Sequence, residues 1–205
     1  MENYFTQKIL PVVSIAHAED AVSVARALYQ GGLRVMEVPL RTPDALQAIA
    51  NIRERVPEMA IGAGTILTPS QAEEAKAAGA MFGLAPGLNA EVVKASVANE
   101  LPFIPGVMTP SEIELALSLG CQIQKLFPVN MIGGPAVVAA YYGPYRGAGV
   151  QFIPMGGINA KNIRNYILLP GVLAIGGSWL ASSHLIETKQ FIQIEKYTKE
   201  VLALV

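Results

Sequence analysis

Two charged residues stand within otherwise apolar runs of the chain, and they are the first candidates for chemistry. Lys125 lies in the run Gln122–Phe127, and Glu37 lies in the run Arg34–Leu40. Burial disfavours the charged form of a lysine, so a buried lysine can present a neutral amine as a nucleophile. A carboxylate beside it can shuttle the protons that Schiff-base chemistry moves. A lysine that reaches water at a strand end, or a purely structural ion pair, would leave the same pattern.

Glycine pairs follow the last two apolar runs of the chain. They are Gly156-Gly157 and Gly176-Gly177, and Ser178 comes directly after the second pair. Glycine lets backbone N–H groups approach an anion closely, and the serine hydroxyl adds a donor. One pair alone would indicate no more than a turn. Two pairs at neighbouring strand ends favour a phosphate site.

The remaining polar residues give weaker indications of function. Arg41, four residues after Glu37, carries a planar guanidinium that suits a carboxylate, although a surface arginine is the alternative. His17 and His184 are isolated, and no His, Cys, Asp or Glu grouping has metal-ligand spacing, so the sequence predicts no metal and no cofactor. Cys121 is predicted to be buried packing.

Around these residues the chain alternates short apolar runs with alanine-rich stretches of helical spacing. Runs that are apolar almost throughout are typical of strands buried on both faces, which occur in parallel sheets. The eight predicted strands are Ile9–Ile15, Arg34–Leu40, Ala60–Leu67, Met81–Pro86, Pro102–Val107, Gln122–Phe127, Gln151–Pro154 and Val172–Ile175. Strand–helix alternation from end to end predicts right-handed parallel crossovers.

Threonine and glycine mark the ends of the helices between these runs. Threonine before proline predicts a helix start, and glycine predicts a helix end. The predicted starts are Thr42-Pro43, Thr68-Pro69 and Thr109-Pro110, with Glu112 completing a capping box after Thr109; the predicted ends are Gly31-Gly32, Gly79 and Gly120.

Eight strand–helix units predict an α/β fold, a (β/α)8 TIM barrel, with residues 1–205 as one domain. An open doubly wound sheet is the alternative. It is disfavoured because Gly62-Ala63-Gly64 lacks the third glycine of a dinucleotide-binding loop.

The composition narrows the class of protein further. The 205 residues are 52% hydrophobic and 15% charged, which suits a packed core rather than disorder. A net charge of −1 argues against a nucleic-acid partner. The apolar runs are too short to span a membrane, Met1–Lys8 has no signal-peptide pattern, and a single cysteine suits a reducing compartment, so we expect a cytoplasmic protein.

Short motifs occur in order along nearly the whole chain, and most of them lie at strand ends. The motifs are Gly32-Leu33-Arg34-Val35-Met36-Glu37-Val38, Arg41-Thr42, Gly62-Ala63-Gly64-Thr65, Pro86-Gly87, Pro105-Gly106-Val107, Lys125-Leu126-Phe127-Pro128, Gly156-Gly157-Ile158 and Gly176-Gly177-Ser178-Trp179. Each motif is a weak signal alone. Together they strongly resemble the motifs of the 2-keto-3-deoxy-6-phosphogluconate (KDPG) and 4-hydroxy-2-oxoglutarate (KHG) aldolases.

The resemblance implies roles for ten residues. Lys125 would form a Schiff base with pyruvate or a keto-acid substrate, and Glu37 would act as general acid/base through water. The residues that would bind substrate are Arg41 and Thr65 for the pyruvyl carboxylate, Pro86 and Phe127 as pocket walls, and Gly156, Gly157, Gly177 and Ser178 for the distal phosphate. The resemblance also implies a metal-independent homotrimer that acts on a 2-keto-3-deoxy sugar acid phosphate.

Two positions depart from the family pattern. Met155 and Pro39 stand where many members have threonine. Met155 removes one hydroxyl from the expected phosphate site, a change that can weaken binding by about 1.5–3 kcal/mol. Three alternatives to a KDPG aldolase stay open: an aldolase for the C4 epimer or for unphosphorylated KHG, a phosphosugar isomerase, and a non-catalytic phosphosugar-binding protein.

Overall fold

The computed structural model describes residues 1–205, and its strands all run parallel. The strands are β1 Ile9–Pro11, β2 Val35–Pro39, β3 Ala60–Gly64, β4 Phe82–Leu84, β5 Phe103–Ile104, β6 Gly106–Val107, β7 Ile123–Leu126, β8 Gln151–Pro154 and β9 Ile175–Gly177. Hydrogen-bonded ladders join β2 to β5 in sequence order, β6 to β8 in sequence order, and β9 to β1.

The three ladders close into one barrel. Single bridges join β1 to β2 at Val12 and Glu37, and β8 to β9 at Met155 and Gly176. Pro105 separates β5 from β6, so these two short strands occupy one position of the barrel. The eight positions therefore form the predicted (β/α)8 barrel, and the alternative of an open doubly wound sheet is wrong.

Only the strand Gln151–Pro154 keeps its predicted bounds. Five strands are shorter than predicted at one or both ends, and the remaining two differ in continuity or position. The predicted strand Pro102–Val107 is interrupted at Pro105, which has no N–H to donate to a ladder. The predicted strand Val172–Ile175 lies further along the chain, at Ile175–Gly177. Gly177 is in register with Pro11 and thus belongs to the sheet, although the sequence placed its glycine pair after the strand.

Helices fill the connections and pack outside the barrel. Their bounds are α1 Ala21–Gln30, α2 Ala45–Arg55, α3 Pro69–Ala77, α4 Ala90–Ala98, α5 Pro110–Ser118, α6 Pro135–Tyr145, α7 Arg164–Ile167, α8 Ser183–Glu187 and α9 Phe191–Leu202. No helix has the length and apolar composition needed to cross a membrane.

Two of the three threonine starts are confirmed. Thr68 caps α3 by accepting a hydrogen bond from the Gln71 backbone, and Thr109 forms the complete capping box with Glu112. The prediction for Thr42 is wrong, because α2 begins later, at Ala45. The Thr42 hydroxyl instead donates to the Ile15 carbonyl at 2.6 Å, which ties the loop after β2 to the loop after β1.

The barrel interior is filled by side chains that alternate with outward-facing ones. Inward-facing apolar residues include Val35 on β2, Ala60 on β3 and Ile123 on β7. The N-terminal segment closes the end of the barrel where the strands begin. There Tyr4 stacks on Phe82 and Phe5 meets the same ring edge-on. The barrel interior is thus a packed core, and a cavity opens where the strands end.

The capping box predicts a local stability effect without a change in activity. Thr109→Ala removes the acceptor for the Glu112 backbone N–H and should cost about 1 kcal/mol of unfolding free energy. For a chain of this size that loss corresponds to a melting temperature lower by about 2–4 °C. Ser111→Ala, an exposed substitution on the same helix, is the matched control. Equal melting temperatures for the two variants would contradict the assigned cap.

Candidate active site

Strand periodicity brings the two buried charges together. Side chains two residues apart on a strand share a face, so Glu37 points inward like Val35, and Lys125 points inward like Ile123. The Lys125 Nζ lies 3.7 Å from Glu37 Oε1. Glu37 is 0% exposed and Lys125 is 7% exposed. The sequence placed these residues on different strands, and the closed barrel makes them neighbours.

The Glu37 carboxylate fits into the barrel because β3 carries glycine opposite it. A Cβ added at Gly64 would lie 1.8 Å from Glu37 Oε1, a distance that no real contact allows. No hydrogen bond from the protein reaches either Glu37 oxygen. A buried carboxylate without hydrogen bonds is costly for stability, which is typical of a functional group rather than a structural one.

A cavity of about 470 Å³ opens where the strands end. It holds every predicted site residue except Glu37, which lies behind Lys125. The predicted residues in its wall are Arg41, Thr65, Pro86, Lys125, Phe127, Gly156, Gly157, Gly177 and Ser178. Residues that are far apart in the sequence are thus brought to one site by the ends of six barrel positions.

Arg41 and Thr65 lie on the side of the cavity formed by β2 and β3. The Arg41 side chain is exposed and forms no ion pair, so its guanidinium is free to bind an anion. Thr65 has a φ of 58°, a left-handed conformation that is unfavourable for a β-branched residue. Such strain is typical of functional sites, where the surrounding structure fixes the backbone.

Pro86 and Phe127 form apolar walls near the amine. The Lys125 Nζ lies 5.4 Å from the centre of the Phe127 ring, within range of a cation–π contact. Pro86 packs against the backbone of Gly106, where an added Cβ would meet the Pro86 carbonyl at 2.2 Å. The glycine of the Pro105-Gly106-Val107 motif is therefore needed to let this wall approach.

The two glycine pairs present backbone groups to the cavity. Gly156 and Gly157 have φ values of 96° and 84°, which favour glycine. Their N–H groups donate no hydrogen bond within the chain. Ser178 is exposed at the same mouth, beside Gly177. Free N–H groups on successive glycines form the kind of concave site that binds anions.

The cavity wall includes six further residues. Met155 and Gly176 were expected at the phosphate site, whereas the sequence assigned no role there to Val12, Ile158, Asn159 and Trp179. Trp179 ends the motif that begins at Gly176, and Asn159 follows the motif that begins at Gly156, so their positions beside these motifs could have indicated that they line the site. Val12 resembles any core valine in the sequence, and nothing in the sequence indicated its place in the cavity wall.

Met155 stands at the expected threonine position and packs against β9. A Cβ added at Gly176 would lie 2.4 Å from Met155 Cε, so the thioether occupies the space above that glycine. The site therefore has an apolar side chain where a hydroxyl would have faced the phosphate.

Cys121 lies outside the cavity, as its packing prediction implies. It is buried, and burial raises the pKa of its thiol, which disfavours the nucleophilic thiolate. No group of three or more His, Cys, Asp or Glu side chains is arranged to hold a metal ion.

Comparison with known proteins decides the family. The family model described as KDPG and KHG aldolase matches residues 2–197. The chain belongs to this family. It is 42% identical to the 2-dehydro-3-deoxy-phosphogluconate aldolase of Treponema pallidum over 97% of this chain and 93% of that one. It is 41% identical to the KHG/KDPG aldolase of Escherichia coli K12 over 96% of this chain and 92% of that one.

Solved structures of family members have the same fold. The KDPG aldolase of Legionella pneumophila, with pyruvate captured as a covalent carbinolamine intermediate, is 38% identical with a TM-score of 0.93, covering 98% of this chain and 97% of that one. The Zymomonas mobilis enzyme with 3-phosphoglycerate is 36% identical with a TM-score of 0.87, covering 97% of this chain and 92% of that one. The chain is therefore an aldolase, a carbon–carbon lyase, and the isomerase and binding-protein alternatives are wrong.

The fit between Gly64 and Glu37 predicts that an alanine substitution destabilises the protein at Gly64 but not at a glycine with free space around it. Gly64→Ala forces a methyl group against the Glu37 carboxylate and should lower the unfolding free energy by about 1–3 kcal/mol. Gly147→Ala, in the turn that follows α6 with nothing within 4 Å of the new methyl, should be neutral or stabilising by up to about 1 kcal/mol. Thermal unfolding of both variants measures the contrast, and a neutral Gly64→Ala would show that the carboxylate is elsewhere in solution.

Proposed function

We propose that this family member is a class I aldolase that cleaves KDPG to pyruvate and glyceraldehyde 3-phosphate. The observation that carries the proposal is the Lys125 amine, 3.7 Å from the Glu37 carboxylate at the floor of an open cavity. The names of the Treponema and Escherichia relatives support the substrate, and the covalent pyruvate complex of the Legionella enzyme supports the chemistry.

The first stage joins the substrate to Lys125. Transfer of the Lys125 proton to Glu37 leaves a neutral amine, which attacks the C2 carbonyl of the keto acid and forms a carbinolamine. Loss of water, with the proton supplied by Glu37, gives a positively charged iminium. Glu37 is the only carboxylate within 4.0 Å of this amine, which is why we assign it the proton transfers.

The second stage breaks the carbon–carbon bond. Glu37, acting through water, removes the proton of the C4 hydroxyl. The C3–C4 bond then breaks, its electron pair moves toward the iminium, and glyceraldehyde 3-phosphate leaves. Protonation of the remaining enamine at C3 and hydrolysis of the iminium release pyruvate and restore the Lys125 amine.

The rest of the cavity binds the two ends of the substrate. Arg41 and Thr65 hold the pyruvyl carboxylate, because the free guanidinium lies on the β2–β3 side of the amine. Pro86 and Phe127 enclose the reacting carbons. The residues assigned to the distal phosphate, which lie at the mouth, are Gly156, Gly157, Gly177 and Ser178.

Cleavage of unphosphorylated KHG to pyruvate and glyoxylate is a second activity of the same site. Met155 favours it, because the thioether offers the phosphate no hydrogen bond, and the name of the Escherichia relative includes this substrate. Relative kcat/KM values for KDPG, its C4 epimer and KHG measure which substrate the cavity prefers.

The proposal includes a cytoplasmic homotrimer. Helix α6 supports association, since it has no charged residue and buries only Val138, leaving much of its apolar surface exposed. A lone buried thiol, Cys121, suits a reducing compartment. Sedimentation should give a mass three times that of the 21.8 kDa chain.

Lys125→Ala should abolish the covalent step. We expect kcat/KM to fall by about 10³-fold or more, because the nucleophile is lost. Incubation with pyruvate, reduction with borohydride and peptide mapping should locate the pyruvyl mass on Lys125 of the wild type and on no residue of the variant. Lys94→Ala, on the exposed face of α4, is the control and should react as the wild type does. An adduct elsewhere, or none on folded wild-type protein, would refute the assignment.

Glu37→Gln should separate adduct formation from turnover. The amide keeps the shape of the side chain but carries no exchangeable carboxyl proton, so we expect kcat to fall by about 10²-fold or more. Borohydride trapping should still detect some pyruvyl adduct. If the variant turned over as fast as the wild type, Glu37 would be a structural partner of Lys125 only.

A further inference from the structure

Three successive carbonyl groups of the loop after β8 are held from one side. Met155 O accepts from Val129 N at 2.8 Å, and Gly156 O accepts from Asn130 N at 3.2 Å. Gly157 O accepts from the Asn130 side-chain Nδ2 at 2.6 Å. All three donors belong to the loop after β7, so the two loops are joined edge to edge.

This arrangement orients the N–H groups of the loop after β8. In a planar trans peptide the carbonyl and the following N–H point in opposite directions. Holding the carbonyls of residues 155 to 157 against the β7 loop therefore turns the next N–H groups, those of Gly156, Gly157 and Ile158, the other way. These N–H groups have no partner in the chain, and their residues line the cavity.

The last of the three contacts depends on residue type. The first two donors are backbone N–H groups that most residues could supply, whereas the third is the Asn130 amide. Asn162 Nδ2 adds a second side-chain donor to Gly157 O at 3.0 Å. Gly157 fits closely against this amide, since a Cβ there would lie 2.4 Å from Asn130 Nδ2.

Tyr166 fixes which end of the Asn130 amide faces Gly157. Its hydroxyl donates to Asn130 Oδ1, which leaves Nδ2 directed at the Gly157 carbonyl. Tyr166 is buried, and burial raises the pKa of its hydroxyl, so it remains a proton donor at neutral pH. A buried side chain in α7 thus determines the orientation of a group at the mouth of the cavity.

We propose that Asn130, oriented by Tyr166, is a positioning residue for the distal phosphate of the substrate. It acts through the Gly157 peptide and aims the N–H groups of the glycine loop at the anion. The proposal rests on the proposed function, in that it requires a phosphorylated substrate with its phosphate at this loop. A side chain that served only to hold the fold together would affect all substrates alike.

The test separates phosphorylated from unphosphorylated substrates. In Asn130→Ala we expect KM for KDPG and the inhibition constant of inorganic phosphate to rise about tenfold, because a misdirected glycine loop loses about one N–H hydrogen bond to the anion. The kcat/KM for KHG and the rate of pyruvyl adduct formation on Lys125 should stay near the wild-type values, because neither involves a phosphate.

Three further variants define the role. Tyr166→Phe keeps the ring but removes the hydroxyl, and should raise the same two constants by a smaller factor. Asn165→Ala, an exposed asparagine on α7 whose side chain makes no hydrogen bond, is the matched control and should change neither constant. Should Asn130→Ala fail to fold, Asn162→Ala is expected to affect KDPG and phosphate but not KHG in the same way, because it removes the other side-chain donor to Gly157 O.

Several outcomes would overturn the proposal. Equal losses on KDPG and KHG would make Asn130 a structural residue, and unchanged constants would show that the loop needs no support from it. If the wild type were not inhibited by phosphate and used KHG as well as KDPG, the phosphate role of the loop would fail, and this inference with it. The Lys125 adduct would still stand in that case, so the failures are distinguishable.

Discussion

The structure depends on keeping two opposite charges inside an apolar barrel. Taking an ammonium and a carboxylate out of water is unfavourable, and their attraction offsets that cost only in part. The chain accommodates the Lys125–Glu37 pair by reducing the opposing strand to Gly62 and Gly64 on its inner face. The buried Lys125–Glu37 pair lowers the stability of the protein, and the packing of the surrounding barrel compensates for that loss. The Glu37 carboxylate occupies the space beside Gly64, and Lys125 forms part of the wall of the cavity that opens where the strands end.

Most of the fold and the central part of the site could be predicted from the sequence. The eight apolar runs identified the barrel positions because strands buried on both faces have a distinctive composition. Lys125 and Glu37 stood out because a charge within such a run is rare. The glycine pairs stood out because two of them followed neighbouring strands. Each of these signals is local, and the closed barrel then makes the residues that carry them neighbours.

The parts that were missed depend on contacts between distant segments. The break at Pro105 and the late start of β9 are set by pairing with neighbouring strands, which a single run does not reveal. Thr42 resembled a helix cap, but its hydrogen bond to Ile15 in the neighbouring loop competes with capping. Asn130 is an exposed residue in a loop, and only the structure shows that its amide meets the carbonyl of Gly157. Such residues have no compositional signal.

The closed N-terminal end of the barrel determines the order in which substrates bind and products leave during a catalytic cycle. Because Tyr4, Phe5 and Phe82 seal one end of the barrel, the cavity has a single entrance, and Lys125 lies buried below the exposed Gly157. On the proposed chemistry, the keto acid end must enter first and the phosphorylated end stays at the entrance. After cleavage the aldehyde occupies the exit, so it departs before pyruvate, which is still tethered. In the reverse direction pyruvate has to load before the aldehyde, and the fold itself thereby imposes a compulsory sequence of binding and release.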